Sequence, residues 1–327
     1  MCSLLFVGSC EIMNIEKDKK IVGEALMPYY EAFMNCYGTS NNKESFLFFS
    51  DPHLLGYNNV FGEYEIASFN SAFDSMRALF KALPIDFCLC GGDWLNNKDT
   101  QEVAKLKLKY ADSKMKEWFP SYYKMLGNHD TNYQGVVSFD DSSRGDLPYD
   151  YINSVYFKET GKSYYSIKGV NTLFVVLDTG IDWETAIDNY RKQQIEWLSQ
   201  LLYSNTEQHI VIGMHIFFNG KVDKKNPMPM SREIMRLCRA FNRRETYSFE
   251  AYNYDYNMAQ GKVHFIICGH NHVDFEYYED DIPCIGITNL ITNRIPSYDL
   301  CIIDYDKGYL DMIRVGEGHN RQIPFVL

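Results

Sequence analysis

In the stretch VHFIICGHNHVDFE, Val263 to Glu276, a mostly apolar run from Val263 to Cys268 stops at Gly269 and is followed by His270, Asn271 and His272. A short run of this kind closed by glycine reads as a strand buried on both faces. Two imidazoles placed where such a strand emerges are either ordinary surface residues or ligands. The choice turns on whether other strands end in the same way.

They do. FLFFSDPHL puts Asp51 and His53 after one apolar run, FCLCGGDWLNN puts Asp93 after a second, and KMLGNHDTNY puts Asn128, His129 and Asp130 after a third. IVIGMHIFF puts His215 after a later one. In open α/β sheets, ligands bind beyond the carboxyl ends of the strands, so these side chains are expected to converge. Three aspartates, five histidines and one asparagine, with no thiolate, suit Mn, Fe or Zn. That is too many donors for one ion, whereas a carboxylate can bridge two ions about 3.5–4 Å apart. Gly91, Gly92, Gly127 and Gly269 stand just ahead of these residues and are expected to supply the sharp turns that aim them.

Further strand-like runs lie at Ser45–Ser50, Ile85–Cys90, Tyr122–Leu126, Ser163–Ile167, Leu173–Leu177, Ile210–Met214, Cys284–Ile291, Leu300–Tyr305 and Tyr309–Val315. Helical spacing appears in Ile66, Phe69, Phe73, Met76, Phe80 and Leu83, in Val103, Leu106 and Tyr110, and in QQIEWLSQLL. Strand-helix alternation early and strand-turn-strand late predict a layered α/β protein with mixed sheets. The chain shows no repeat or linker, so the expected organisation is a lead-in over 1–43 and one domain over 44–327.

The bulk numbers exclude some roles. A net charge of −11 over 327 residues argues against nucleic acid as the main partner, because phosphate neutralisation dominates that binding. No apolar run approaches the roughly 20 residues that span a bilayer. Nine cysteines show no paired spacing. Cys88, Cys90, Cys268, Cys284 and Cys301 read as buried free thiols, which suits a reducing, cytoplasmic setting. Cys88-Leu89-Cys90 is too closely spaced for the usual zinc pair. CSLLFVGSC near the start resembles the end of a lipoprotein signal, so the alternative location is outside the cytoplasm, lipid-anchored through Cys10 if the true start lies upstream.

Asp-x-His, Gly-Asp, Gly-Asn-His-Asp, a lone His and Gly-His-x-His, in that order over Phe46 to Asp274, resemble the calcineurin-like metallophosphoesterases. The resemblance implies a four-layer α/β/β/α sandwich with two mixed β-sheets and two divalent metal ions. It implies Asp51, His53 and His272 on one ion, Asn128, His215 and His270 on the other, and Asp93 bridging them. In the family the histidine at the position of His129 touches the substrate and protonates the leaving oxygen. Asp130 either orients it or holds the turn. The implied activity is hydrolysis of a phosphomonoester or phosphodiester of a small phosphorylated substrate. YYSIKGVNTLFVVLDTG and QIEWLSQLL resemble the cyclic-nucleotide phosphodiesterase-like and purple-acid-phosphatase-like branch. The chain departs from that branch in three ways: Trp94, Leu95 and Asn96 stand where purple acid phosphatases have a tyrosine ligand, His53 is present where they lack a histidine, and Ile216 follows His215 where a second histidine is frequent.

Other features are open to two readings. His209, His264 and His319 read as sheet or solvated residues rather than ligands. Arg232, Arg236, Arg239 and Arg243 line one face of a helix whose other stripe is Ile234, Leu237, Cys238 and Phe241. That basic face is an ordinary solvated one or an attractor of anions. The segment between His215 and Lys262 is expected to fold over the site. The insert with Tyr133, Arg144, Tyr149 and Tyr151 is either a substrate-covering loop or a structural excursion. A non-catalytic scaffold of the same fold and a nuclease are the competing functions. The scaffold is disfavoured because every expected ligand and His129 are present, the nuclease because the chain is acidic.

Overall fold

The computed structural model describes residues 18–38, 42–54, 63–96, 99–132, 146–179, 189–217, 229–292 and 295–327. Strand β1, Lys43–Phe49, divides its side chains by parity: Phe46 and Phe48 enter one apolar cluster, Leu47 and Phe49 another. A strand's side chains alternate between faces, so β1 is a continuous apolar run because both of its faces are covered. The same division recurs in β2 (Phe87–Cys90), β5 (Thr172–Leu177), β6 (His209–Met214) and β9 (Lys262–Cys268).

Two six-stranded sheets result. The first runs β16 (Arg321–Pro324), β15 (Tyr309–Val315), β14 (Tyr298–Asp304), β1, β2, β3 (Tyr122–Lys124). The second runs β10 (Phe275–Glu279), β11 (Ile282–Gly286), β9, β6, β5, β4 (Tyr165–Lys168). β1, β2 and β3 are mutually parallel, as are β5, β6, β9 and β11, with antiparallel strands outside them, and β12 (Ile291–Thr292) pairs separately with β13 (Ile295–Pro296). Phe46, Phe48, Phe174, Phe265, Ile267 and Met312 fill the space between the sheets. Helices α1 (Met27–Tyr37), α2 (Glu63–Ala82) and α3 (Gln101–Trp118) supply the core on the first sheet's outer face through Phe33, Phe73, Met76, Leu108 and Met115. Helices α4 (Asn189–Tyr203) and α5 (Pro229–Arg243) do so on the second through Ile195, Leu198, Ile234, Leu237 and Phe241. Three apolar clusters between four layers make the expected α/β/β/α sandwich.

Two expectations need correction, and two further features go beyond the sequence reading. On α3 the buried residues are Ala104, Leu108, Ala111 and Met115, while Leu106 is 65% exposed. The apolar spacing misled there because the buried face also carries Lys107, whose Nζ lies 2.8 Å from both oxygens of buried Asp99. The hairpin β7 (Thr246–Phe249) and β8 (Tyr252–Asp255), and the outer strands β10 and β16, went unforeseen. Their alternately exposed residues blur the apolar signal. The described part of the segment expected to cover the site, residues 229–261, packs instead into the outer helical layer beside α4. The basic face of α5 is charge-paired there: Arg236 with Glu233, Arg239 and Arg243 with Asp280.

The buried thiols are free as expected, Cys88, Cys90, Cys268, Cys284 and Cys301 among them. No helix among the described residues is long and apolar enough to cross a membrane. Cys10, Tyr133 and Arg144 lie outside the described residues. Tyr149 and Tyr151 form a helical turn that continues into a π-helical turn, Ile152–Tyr156.

Candidate metal centre

All five motif-bearing loops leave the carboxyl ends of parallel strands, three in the first sheet and two in the second. Backbone hydrogen bonds weave them together. Asp51 N–H donates to Gly92 O, His53 N–H to Asp93 O, and Gly269 N–H to His215 O, at 3.0, 3.0 and 3.1 Å. Asp51, His53, Asp93, His270 and His272 all adopt positive φ, between 39° and 70°. A left-handed backbone costs a non-glycine residue roughly 1–2 kcal/mol. Such conformations persist only where surroundings impose them, and they gather at functional sites.

Nine side chains meet there. His272 Nε2 lies 3.1 Å from Asp51 Oδ1 and 3.0 Å from His53 Nε2. On the other side of Asp93, His215 Nε2 is 3.1 Å from Asp93 Oδ2 and 3.1 Å from Asn128 Oδ1, and His270 Nδ1 is 2.9 Å from the same Asn128 oxygen. Asp51, His53 and His272 have ligand atoms within 4.8 Å of one another, as do Asp93, His215 and His270. Asp93 Oδ2 lies between the two groups, 3.9 Å from His53 Nε2 and 3.9 Å from His129 Nε2. The structure thus brings together every residue singled out as a ligand.

The donor set fits cations. His53 Nδ1 faces Leu95 O at 2.8 Å and His215 Nδ1 faces Gly91 O at 2.6 Å. A carbonyl only accepts, so both Nδ1 atoms carry hydrogen and both Nε2 atoms face into the cluster. Asp93 Oδ2 is buried without a hydrogen-bond donor of good geometry. Burial opposes the charge on Asp93, but His215, His129 and His53 prevail and hold it well below the usual carboxylate range. Burial would likewise lower His215, yet Asp93 and Asp51 hold its proton up to about 9. An imidazole gripping a proton so tightly between two buried carboxylates marks a strongly negative spot, where a divalent cation competes with that proton. Burial and His215 push His270 down to about 3, so its imidazole is neutral at neutral pH.

The hydrogen bonds of Asp130 run to the backbone. It is fully buried and accepts from the backbone N–H groups of Asp93, Trp94, Leu95 and Gly127 at 2.7–3.3 Å. It staples two site loops together, and its carboxylate is spent on the backbone rather than on His129. The imidazole of His129 sits at the cluster's rim, 30% exposed, with its backbone N–H on Asp93 Oδ1 at 2.7 Å and its Nδ1 lacking a hydrogen-bond partner. Burial pushes it down from the ordinary histidine range.

The glycines are needed for two different reasons. Gly92 does take φ +98°, but Gly127 does not rely on positive φ. It is needed for closeness: a Cβ there would lie 2.1 Å from Asp93 Oδ1 and 2.2 Å from Asp93 N. Among functional groups not foreseen are the carbonyls of Gly91 and Leu95, which no sequence signal marks. His209, His264 and His319 stand away from the cluster, as expected. His209 and His264 contact each other at 2.8 Å and pack around Tyr305, and His319 is exposed.

Two stacked mixed sheets with an Asp, His and Asn cluster across the strand ends of both define a metal-dependent phosphoester hydrolase. The chain belongs to the calcineurin-like phosphoesterase family, whose model matches residues 45–274. Solved structures share the fold at low identity. A dimetal phosphatase from Danio rerio is 12% identical, with 86% of this chain and 99% of that one covered and a TM-score of 0.61. A purple acid phosphatase from yellow lupin seeds is 14% identical, with 88% of this chain and 54% of that one covered and a TM-score of 0.52. No curated protein sequence matches significantly.

Proposed function

We propose that the protein hydrolyses a phosphomonoester or phosphodiester of a small soluble substrate with two divalent ions. Asp51, His53 and His272 would hold one ion, Asn128, His215 and His270 the other, and Asp93 would serve both. The observation that carries this is the position of Asp93 Oδ2, buried without a good donor and flanked by His215 on one side and His53 on the other. The ions, when bound, neutralise phosphoryl charge and make water a nucleophile near neutral pH.

The protein's own groups supply the rest. Leu95 O and Gly91 O fix the tautomers of His53 and His215. Asp130 keeps the Asp93 loop against Gly127. His129, half-buried at the rim beside Asp93, is placed to give a proton from Nε2 to the departing oxygen, work that contributes about 10²–10⁴-fold. The Danio rerio dimetal phosphatase and the lupin purple acid phosphatase share the fold and support the reaction class.

The test uses chelator-stripped protein with Mn²⁺, Fe²⁺ or Zn²⁺ restored in turn, offered p-nitrophenyl phosphate, its bis-ester and cyclic nucleotides. Turnover that requires the restored ion and drops at least ~10²-fold in His129→Ala is expected. Absence of turnover with every ion and substrate would transfer the reading to a metal-binding scaffold.

A further inference from the structure

Arg314 on β15 is 3% exposed, and every one of its five N–H groups is used. Nε and Nη2 donate to the two carboxylate oxygens of Asp299 at 3.0 and 2.8 Å. Nη1 and Nη2 donate to the two oxygens of Asp274 at 2.9 and 2.6 Å, and Nη1 also reaches Glu317 O at 3.0 Å. Arg321 on β16 stands behind it, with Nη2 3.4 Å from Asp299 Oδ2 and 3.8 Å from Asp274 Oδ1. The Nη1 of Arg321 donates to Gly286 O at 2.9 Å. Two guanidinium groups thus balance two carboxylates. Asp299 and the arginines belong to the first sheet, whereas Asp274 lies in the loop that carries His270 and His272 out of the second.

The two halves of that loop are held differently. Gly269 and His270 are tied to the site itself: Gly269 N–H donates to His215 O, His270 N–H to Asp51 Oδ2, and His270 Nδ1 contacts Asn128 Oδ1. His272 has a 41% exposed side chain and a left-handed backbone at φ +56°. Its main-chain carbonyl takes the Thr288 hydroxyl at 3.2 Å, and Thr288 N–H donates to Asp274 Oδ1 at 3.0 Å. A bidentate arginine-carboxylate pair fixes direction as well as distance. Strained backbone holds only while its surroundings over-determine it.

We propose that Arg314 is a positioning residue which, through Asp274 and Thr288, locks His272 against Asp51 and His53 and so sets the affinity of one ion position and not the other. The inference rests on the two-ion reading above. Groups that orient metal ligands typically change affinity by about 10–100-fold when removed. The contacts given above for Asp93, Asn128, His215 and His270 join them to one another, to Asp51 and to the Gly91 carbonyl rather than to Arg314, so the second position keeps its affinity.

The experiment titrates the stripped full-length chain with Mn²⁺ and with Zn²⁺ by calorimetry, in the wild type, Asp274→Asn, Arg314→Lys and Thr288→Val. His272→Ala and His270→Ala identify which binding event belongs to which position. The wild type takes up two ions. Asp274→Asn and Arg314→Lys weaken the event lost in His272→Ala by about 10–100-fold and leave the event lost in His270→Ala within about twofold. Thr288→Val, which leaves the charged network whole, gives a smaller loss at the same event and serves if the charged variants do not fold. Equal weakening of both events, or of neither, overturns the positioning role while leaving the two-ion reading intact. A wild type that binds fewer than two ions overturns both.

Discussion

Gly127→Ala tests the geometry of the centre most directly. The new Cβ would stand 2.1 Å from Asp93 Oδ1, 2.2 Å from Asp93 N and 2.8 Å from Asp93 Cα. Non-bonded carbon contacts settle near about 3.5 Å, so the loops must part by roughly 1 Å. They cannot part freely, because Asp130 holds Asp93 N–H and Gly127 N–H on one carboxylate oxygen at 3.0 and 2.9 Å. Overpacking of about 1–3 kcal/mol adds to at least one weakened charge-assisted hydrogen bond of about 1.5–3 kcal/mol. The total is roughly 3–5 kcal/mol, which lowers Tm by roughly 4–7 °C in a protein of this size. A 1 Å displacement of Asp93 also costs about 10²-fold in turnover. Thermal melts, ion stoichiometry and initial rates on restored protein measure all three. Gly161→Ala is the control, since a Cβ there meets nothing within 4 Å and only the φ of +70° is penalised, about 1–2 kcal/mol. A Gly127→Ala protein that binds two ions and turns over like the wild type would refute the reasoning.

Burial and then neighbouring His209 push His264 down to about 3. A base with a folded pKa below its free value leaves the unfolded chain holding more protons, so stability falls as pH drops below about 6.5 and continues to fall until near 3. Between pH 7 and pH 4.5 this removes about 3 kcal/mol. Urea melts should show His264→Gln losing that much less than the wild type over the interval, and an identical loss in both would sink the assignment. Lys107→Met strands the buried Asp99 carboxylate and should cost about 3–5 kcal/mol by denaturant unfolding. Adding Asp99→Leu should recover most of it, and no recovery would show that the charge is not the cause. Mn²⁺ at 100 times its dissociation constant should stabilise the stripped protein by about 2.7 kcal/mol per occupied position in a thermal-shift assay. Asp93→Asn should abolish most of that shift, and an undiminished shift would remove Asp93 from the centre.

The linear chain made the long parallel strands and the candidate ligands legible, because both signals are local. β1, β2, β5, β6, β9, β14 and β15 are largely apolar runs buried on two faces, and each candidate ligand sits within five residues of the end of β1, β2, β3, β6 or β9. Convergence followed from topology alone, since parallel strands deliver their following loops to one edge. Polar edge strands such as β10 and β16 were not legible, nor was the buried face of α3, where a lysine paired with Asp99 stands among the apolar residues.

What tertiary structure decided is which polar groups hold the ligands in place. Asp130 lies beside His129 in sequence yet serves the backbone of residues 93–95 and 127, and Arg314 reaches the His272 loop from the other sheet, forty residues further along the chain than Asp274. A ligand's identity is written in its own side chain. Its orientation is set by donors and acceptors whose proximity exists only once the two sheets have stacked.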